Sequence, residues 1–289
     1  MLTVIVNEQS GNGAGGKALA GIRAILEERK IPHRICVTSG PAAATAIADE
    51  AVGRGENEIV CIGGDGTIFE VVNGIAGRFA RLYFVPCGTG NDFVRTLKLP
   101  KDPLQAFRAQ LDGEPRRIDT GRLNEYYFLN VSGSGFDVEV LRQAARFKKL
   151  GKGLLPYLLG IFAALRKFRP LPVEMTLDGR TEKREVTIFS VGNGRYFGGG
   201  MKAVPHAEID DGLFDVVVAD RLGRPAILKL LSKFIQGEHT ALPQVHELRA
   251  RELTVRCPGM TVDIDGELIP MDEARYQLLP GALEIMCPK

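Results

Sequence analysis

Ile59-Val60-Cys61-Ile62-Gly63-Gly64-Asp65-Gly66-Thr67-Ile68-Phe69-Glu70 is the stretch on which the fold turns. It opens as a strand of the buried type, passes through a turn in which glycines surround one aspartate, and continues as a helical pattern from Thr67 to Ile75. Glycine admits backbone conformations barred to other residues and lets amide N–H groups come close to an anion. The helix that follows points its positive end at the same place. The turn is therefore built for phosphate, and Asp65 would offer its carboxylate to Mg²⁺ or to an ordering network rather than to the phosphate. The same residues also fit a plain strand-to-helix turn with a capping aspartate.

Working outward, the first half alternates strand and helix. Leu2 to Val6, Arg34 to Val37, Glu58 to Ile62 and Leu82 to Val85 read as strands, and Lys17 to Arg29, Pro41 to Val52 and Thr67 to Ile75 as helices. This alternation predicts an α/β domain with a mostly parallel sheet covered on both sides, which binds ligands where strands end and helices begin. After about Arg116 strand follows strand: Tyr126 to Val131, Val173 to Leu177, Arg184 to Val191, Phe214 to Ala219, Leu253 to Arg256 and Thr261 to Ile264. Asp178-Gly179 and Asp265-Gly266 read as hairpin turns. Helical patterns at about Val138 to Phe168 and Pro225 to Ile235 interrupt this mainly antiparallel second domain. The expected division is 1–119 and 120–279, with a short closing strand, Leu283 to Met286, returning within 280–289 to the first domain.

Composition excludes several classes. A formal charge of +2 on 289 residues argues against a dedicated nucleic-acid binder. Cys36, Cys61, Cys87, Cys257 and Cys287 are odd in number and form no C-x-x-C pair, so neither a disulfide framework nor a zinc site is indicated and a cytoplasmic setting fits. His33, His206, His239 and His246 lack H-E-x-x-H spacing, which disfavours a zinc enzyme. Met1 to Asn7 reads as a first strand rather than a signal peptide. The longest apolar stretch, Leu154 to Leu165, contains Pro156 and falls short of the roughly 20 residues of a spanning helix.

Two further loops join the first. Val85-Pro86-Cys87-Gly88-Thr89-Gly90-Asn91-Asp92-Phe93 follows the next strand, where Thr89 supplies a hydroxyl and Asn91 and Asp92 polar groups near a metal or a transferred phosphate; alone it also fits an ordinary polar loop. Asn7-Glu8-Gln9-Ser10-Gly11-Asn12-Gly13 leaves the first strand without the frame of a P-loop. With Thr38 it would form a nucleotide floor.

Gly63-Gly64-Asp65-Gly66-Thr67, Pro86-Cys87-Gly88-Thr89-Gly90-Asn91-Asp92-Phe93, Asn130-Val131-Ser132-Gly133-Ser134-Gly135-Phe136-Asp137 and Asp263-Ile264-Asp265-Gly266-Glu267 together resemble the diacylglycerol kinase catalytic family, in its soluble bacterial branch. The resemblance implies an ATP-binding α/β domain, a β-sandwich domain, and an active site in the cleft between them. It implies nucleotide contacts at Asn7, Glu8, Gln9, Ser10, Gly11, Thr38, Gly64, Asp65, Gly66, Thr67, Ile68, Phe69, Glu70 and Thr89, with ATP as co-substrate. Glu267 would be the catalytic base, taking the proton of a poorly nucleophilic lipid hydroxyl, a role worth on the order of 10² to 10⁴ in rate. Asp65, Asp92 and Asp119 would organise the catalytic Mg²⁺ through water, and Glu208, Asp211 and the carbonyl of Leu213 would hold a structural Mg²⁺ in an oxygen-rich loop. Without the resemblance, Asp119 and Glu267 read equally as turn acids.

Between Val140 and Val173 lie Arg142, Arg146, Lys148, Lys149, Lys152, Arg166, Lys167 and Arg169 with no acid, interleaved with Phe147, Leu154, Leu155, Tyr157, Leu158, Leu159, Ile161, Phe162 and Phe168. Such a mixture suits peripheral contact with an anionic membrane surface, and equally a core-packing helix with a solvated basic face. A homodimer is compatible with a sequence otherwise silent on assembly. Two other functions share parts of the pattern: an NAD kinase-like phosphotransferase, through the Gly-Gly-Asp-Gly-Thr loop, and a non-catalytic, nucleotide-gated lipid-binding module. A lipid kinase acting on diacylglycerol or a related lipid alcohol accommodates all the motifs.

Overall fold

The computed structural model describes residues 1–147 and 154–289. The first half comprises β1 (Leu2–Val6), α1 (Ser10–Glu28), β2 (His33–Val37), α2 (Ala43–Gly53), β3 (Glu58–Gly63), α3 (Asp65–Ile75), β4 (Arg81–Pro86), α4 (Asp92–Thr96) and α5 (Pro103–Leu111). β1 pairs in parallel with β2 and β3, and β3 with β4. Side chains alternate between two covered faces, so β1, β3 and β4 are mostly apolar, whereas β2 at the sheet edge carries His33 and Arg34. Val4, Val6, Val60 and Ile62 pack under Ile22, Ile25 and Leu26 of α1. Ile5, Ile59 and Cys61 face Ala44 and Ala48 of α2 and Ile68, Val71 and Val72 of α3. Helices thus cover both faces, and the chain changes face between β1 and β3. The loops leaving those two strands diverge there, which opens a crevice at the carboxyl edge of the sheet.

The second half contains β5 (Glu114–Leu123), β6 (Tyr126–Phe128), β7 (Val131–Gly135), α6 (Phe136–Phe147), α7 (Leu154–Lys167), β8 (Leu171–Leu177), β9 (Arg180–Gly192), β10 (Phe214–Asp220), α8 (Arg224–Phe234), β11 (Val245–Ala250), β12 (Glu252–Ile264) and β13 (Glu267–Cys287). Its pairings are antiparallel. One face, with Phe128, Phe189, Phe214, Val216 and Val255, forms an internal sheet-to-sheet core. The other, with Ile188 and Val217, is covered by Val140, Ala164, Ile227 and Leu230 from the helices.

β13 joins the halves. It runs for 21 residues, pairs antiparallel with β12 and then β5, and meets β4 in parallel at Glu284↔Arg81 and Ile285↔Leu82. The expected closing strand Leu283 to Met286 is therefore only the end of a much longer one. The expected strand Tyr126 to Val131 divides into β6 and β7, because the carboxylate of Asp265 takes the amides of Leu129, Asn130 and Val131 that a continuous ladder would use. Lys148, Lys149 and Lys152 lie outside the described residues. Among the described residues no helix is long and apolar enough to cross a membrane.

Candidate active site

The glycine-rich loops meet backbone to backbone. A Cβ on Gly88 would stand 2.4 Å from Gly64 Cα, one on Gly64 2.8 Å from Gly88 Cα, and one on Gly11 2.0 Å from the carbonyl oxygen of Cys87. No side chain fits between them, so glycine here is a steric requirement. Gly11, Asn12 and Gly13 are left-handed, with φ of 58°, 57° and 90°, and so break the start of α1. Ser10 Oγ donates to Cys87 O at 3.2 Å, and Asn7 Nδ2 to Thr67 Oγ1 at 3.4 Å.

A cavity of about 1040 Å³ opens over these loops, lined among others by Asn7, Gln9, Ser10, Gly11, Thr38, Gly64, Gly66, Thr67, Phe69, Glu70, Thr89 and Glu267. Of the other residues expected at the nucleotide, Asp65 and Ile68 line the adjoining smaller cavity, Ile68 being 4% exposed and part of the core beneath α3, and Glu8 lines neither cavity. Glu70 lines the cavity, but its carboxylate accepts from Ala42 N at 2.9 Å and Ala44 N at 3.0 Å, so it holds the loop before α2.

A smaller cavity of about 320 Å³ adjoins the first and is lined by Asp65, Asp92, Asp263, Asp265, Asn130, Gly199 and Tyr196, among others. Thr89 belongs to both cavities, and the neighbours Asp65-Gly66 and Gly266-Glu267 divide between them. Asp65 and Asp92 flank Gly90: a Cβ there would lie 2.7 Å from Asp65 Oδ2 and 3.4 Å from Asp92 Oδ2. Asp65 Oδ1 accepts from Asp92 N at 2.8 Å, and Asp92 Oδ2 from Gly199 N at 2.7 Å. Asp92 Oδ1 is buried without a hydrogen-bond partner, with Arg95 Nε 3.9 Å away. Burial raises both acids above the carboxylate range, Asp92 to about 6, where the nearby Asp65 charge adds to the effect. Two hard carboxylate donors, one with an open oxygen, fit Mg²⁺. That ion binds through one or two carboxylates and completes its shell with water and phosphate.

Asp119 does not join this pair. It is 2% exposed and lines neither cavity. Its Oδ2 accepts from Gly212 N at 2.7 Å and its Oδ1 from Gly281 N at 2.8 Å, while Asn193 Nδ2 donates to its carbonyl at 3.1 Å. Both carboxylate oxygens fasten loops of the second half to β5.

The loop expected to hold a second Mg²⁺ is an ion pair instead. Asp211 Oδ1 accepts from Leu213 N at 3.0 Å and its Oδ2 from Arg249, which also lies 3.5 Å from Asp215. Glu208 is exposed. The Leu213 amide and the Arg249 guanidinium thus engage both carboxylate oxygens of Asp211 in this arrangement. Among the described residues no group of three or more His, Cys, Asp or Glu is arranged to hold a metal ion.

Sequence reasoning passed over several residues of the cleft. Asn73 Nδ2 donates to Phe69 O and Tyr127 O, both at 2.8 Å, and its Oδ1 accepts from Tyr127 N at 2.9 Å, fixing α3 to β6. Phe69 stacks on Tyr126 with centroids 6.3 Å apart. Gly198, Gly199 and Gly200, all at positive φ, form the loop that caps Asp92, and the run of three glycines was the signal available for it.

An α/β half with glycine-rich anion loops, joined by one long strand to an antiparallel half across an acid-lined cleft, defines a two-domain protein of the nucleotide-dependent kinase type. Residues 1–123 match the diacylglycerol kinase catalytic domain, and residues 130–287 match the YegS C-terminal NAD kinase beta sandwich-like domain. The chain is 33% identical over 295 residues to a diacylglycerol kinase of Mycobacterium tuberculosis, covering 100% of this chain and 95% of that protein. It is 31% identical to a diacylglycerol kinase of Bacillus subtilis, covering 99% and 96%. A crystal structure of a diacylglycerol kinase from Bacillus anthracis str. Sterne superposes with a TM-score of 0.81 at 28% identity, covering 99% of this chain and 96% of that one. The chain belongs to the diacylglycerol kinase family.

Proposed function

We propose that this protein is an ATP-dependent lipid kinase that transfers the γ-phosphate of Mg-ATP to the hydroxyl of diacylglycerol, giving phosphatidic acid. Residues 1–119 serve as the nucleotide half and 120–279 as the lipid half, with 280–289 returning to the first. One observation carries the proposal: two cavities meet at Thr89, with the acid pair Asp65–Asp92 and the carboxylate of Glu267 on either side of the junction. The larger cavity suits a nucleotide, its phosphates lying over Gly64, Gly66 and Thr67 at the N-terminus of α3. The smaller suits the acceptor's headgroup.

Mg²⁺, held by Asp65 and Asp92, would neutralise charge on the phosphates when bound. Catalysis of phosphoryl transfer is mostly positioning and charge stabilisation. The loops fix the donor, Asn73 and the Phe69–Tyr126 stack fix the halves relative to each other, and Glu267 accepts the hydroxyl proton. Glu267 is exposed at the cleft, with Oε1 3.7 Å from where a Cβ of Gly66 would lie, so it faces the phosphate turn directly. Arg142, Arg146, Arg166, Lys167 and Arg169, with Phe162 at 65% exposure, would bring the lipid half to an anionic membrane surface.

The test is incubation of the purified protein with γ-labelled ATP, Mg²⁺ and mixed micelles of diacylglycerols, sphingoid bases and other lipid alcohols. Labelled phosphatidic acid is expected. Label on another lipid alcohol would move the acceptor, and label on none would refute the kinase assignment.

A further inference from the structure

Asn130 lies between β6 and β7, is 5% exposed, and lines the smaller cavity. The transfer scheme gives it no task, yet every polar group it has is engaged. Its Nδ2 donates to Tyr196 O and its Oδ1 accepts from Thr96 Oγ1 at 3.4 Å. Its backbone N donates to Asp265 Oδ1 at 3.1 Å, and its carbonyl accepts from Asn193 N at 2.9 Å and Gly194 N at 2.8 Å. The fit is close, since a Cβ on Gly194 would stand 2.0 Å from Asn130 Oδ1. One residue therefore meets α4, which begins with Asp92, the turn that precedes Glu267, and the segment that follows β9.

That segment, from Arg195 to Gly199, is tied to α4 at both ends. Arg195 N donates to Thr96 Oγ1 at 3.3 Å, and Gly199 N to Asp92 Oδ2 at 2.7 Å. Between the ties Tyr196, Phe197, Gly198 and Gly199 line the smaller cavity. Phe197 and Met201 exchange backbone hydrogen bonds of 2.9 and 3.0 Å across Gly198, Gly199 and Gly200, whose φ angles are 62°, 88° and 112°. Glycines impose little shape of their own, so this wall takes its shape from its attachments. A hydroxyl can donate once while it accepts, and Thr96 does both: it takes the Arg195 amide and gives its proton to Asn130. Asn130 thus fixes the hydroxyl that holds one end of the wall and also holds Tyr196 itself.

We propose that Asn130 is a positioning residue for the lipid acceptor: through Thr96 and Tyr196 it braces the wall Tyr196–Gly199 against α4, so that the acceptor's headgroup enters beside Asp92. The proposal rests on the reading of the smaller cavity as the acceptor's. Neither Asn130, Thr96 nor the wall lines the larger cavity. The brace therefore acts on the acceptor and leaves ATP binding alone, a split that a general loss of stability does not produce.

The experiment compares wild type, Thr96→Ser, Thr96→Val and Asn130→Ala by amide hydrogen exchange over residues 196–201, KM for dioctanoylglycerol, and ATP titration. Thr96→Ser keeps the hydroxyl and should match wild type within about twofold in all three. Thr96→Val keeps the shape but leaves Arg195 N without an acceptor; exchange over 196–201 should quicken and KM for dioctanoylglycerol should rise about fivefold. Asn130→Ala should raise it about tenfold, and in both variants ATP affinity should stay within about twofold of wild type. If Asn130→Ala does not fold, Thr96→Val against Thr96→Ser decides the matter. Unchanged exchange in Thr96→Val, an unchanged KM for the acceptor, or an equal loss of ATP affinity overturns the proposal. A wild type that phosphorylates no lipid overturns the acceptor role together with the kinase assignment, whereas the exchange data support or overturn the brace by themselves.

Discussion

Gly66→Ala should separate the fold from the phosphate site. Gly66 is the second residue of α3 and lines the larger cavity, and a Cβ added there meets only Glu267 Oε1, at 3.7 Å. The fold therefore has no steric objection, and alanine for glycine in a helix stabilises by roughly 0.5–1 kcal/mol. At about 2–4 °C per kcal/mol for a chain of this size, Tm should rise by about 1–4 °C. The nucleotide meets the opposite effect. The new methyl occupies the first turn of α3, where a phosphate would approach the amides, and a displacement of about 1 Å there is worth roughly 10² in rate. Calorimetry of the free protein, ATP titration and kcat/KM for ATP measure the two effects separately. Gly64→Ala and Gly88→Ala serve as contrasts. Their Cβ atoms would stand 2.8 Å and 2.4 Å from backbone of the facing loop, so both should lower stability, by about 1–3 kcal/mol. A Gly66→Ala protein with raised Tm and unchanged ATP affinity would refute the placement of phosphate at α3, and a lowered Tm would refute the steric reasoning.

Glu267→Gln should lower kcat by about 10² to 10⁴ while ATP affinity, measured by titration, stays the same; equal turnover would remove Glu267 as base. Asp92, raised to about 6 by burial, holds its proton below that pH and is charged above it. A raised carboxyl costs stability as pH climbs from its unfolded value through its folded one. The metal-free protein should therefore lose Tm across that window, and Mg²⁺ should raise Tm more at neutral than at acidic pH; equal Mg²⁺ shifts at both would contradict the Asp65–Asp92 site. Asp119→Asn turns one of the two oxygens that hold Gly212 and Gly281 into a donor facing a donor. Urea unfolding should show a loss of about 1–3 kcal/mol, and a direct metal role, in contrast, would change Mg²⁺ dependence with stability untouched.

The glycine-rich turns could be read from the sequence because their constraint is local: Gly64 and Gly88 touch each other, and nothing larger fits. The fate of Asp119 could not. Its partners lie 93 and 162 positions away, and which amides reach it depends on the register of β5 against β13. β13 itself was hidden because Pro270 and Pro280 lack the N–H that a ladder bond uses, although the strand absorbs the second as an irregularity in its pairing with β5. α5 carried an overt signal that was passed over, a capping Asp102 that accepts from Gln105 N at 2.8 Å with proline in the first turn. The loop from Glu208 to Leu213 has the composition of a cation site, but Arg249 arrives from β11, about forty positions on, and pairs with Asp211.

The most direct measurement follows label from γ-labelled ATP in a single turnover with Mg²⁺, diacylglycerol micelles and NAD present together, for wild type and Glu267→Gln. Wild type should place the label on the diacylglycerol hydroxyl, and Glu267→Gln should bind ATP and transfer almost none. Label appearing in NADP, or equal transfer to lipid by both proteins, would contradict a lipid kinase that works through Glu267.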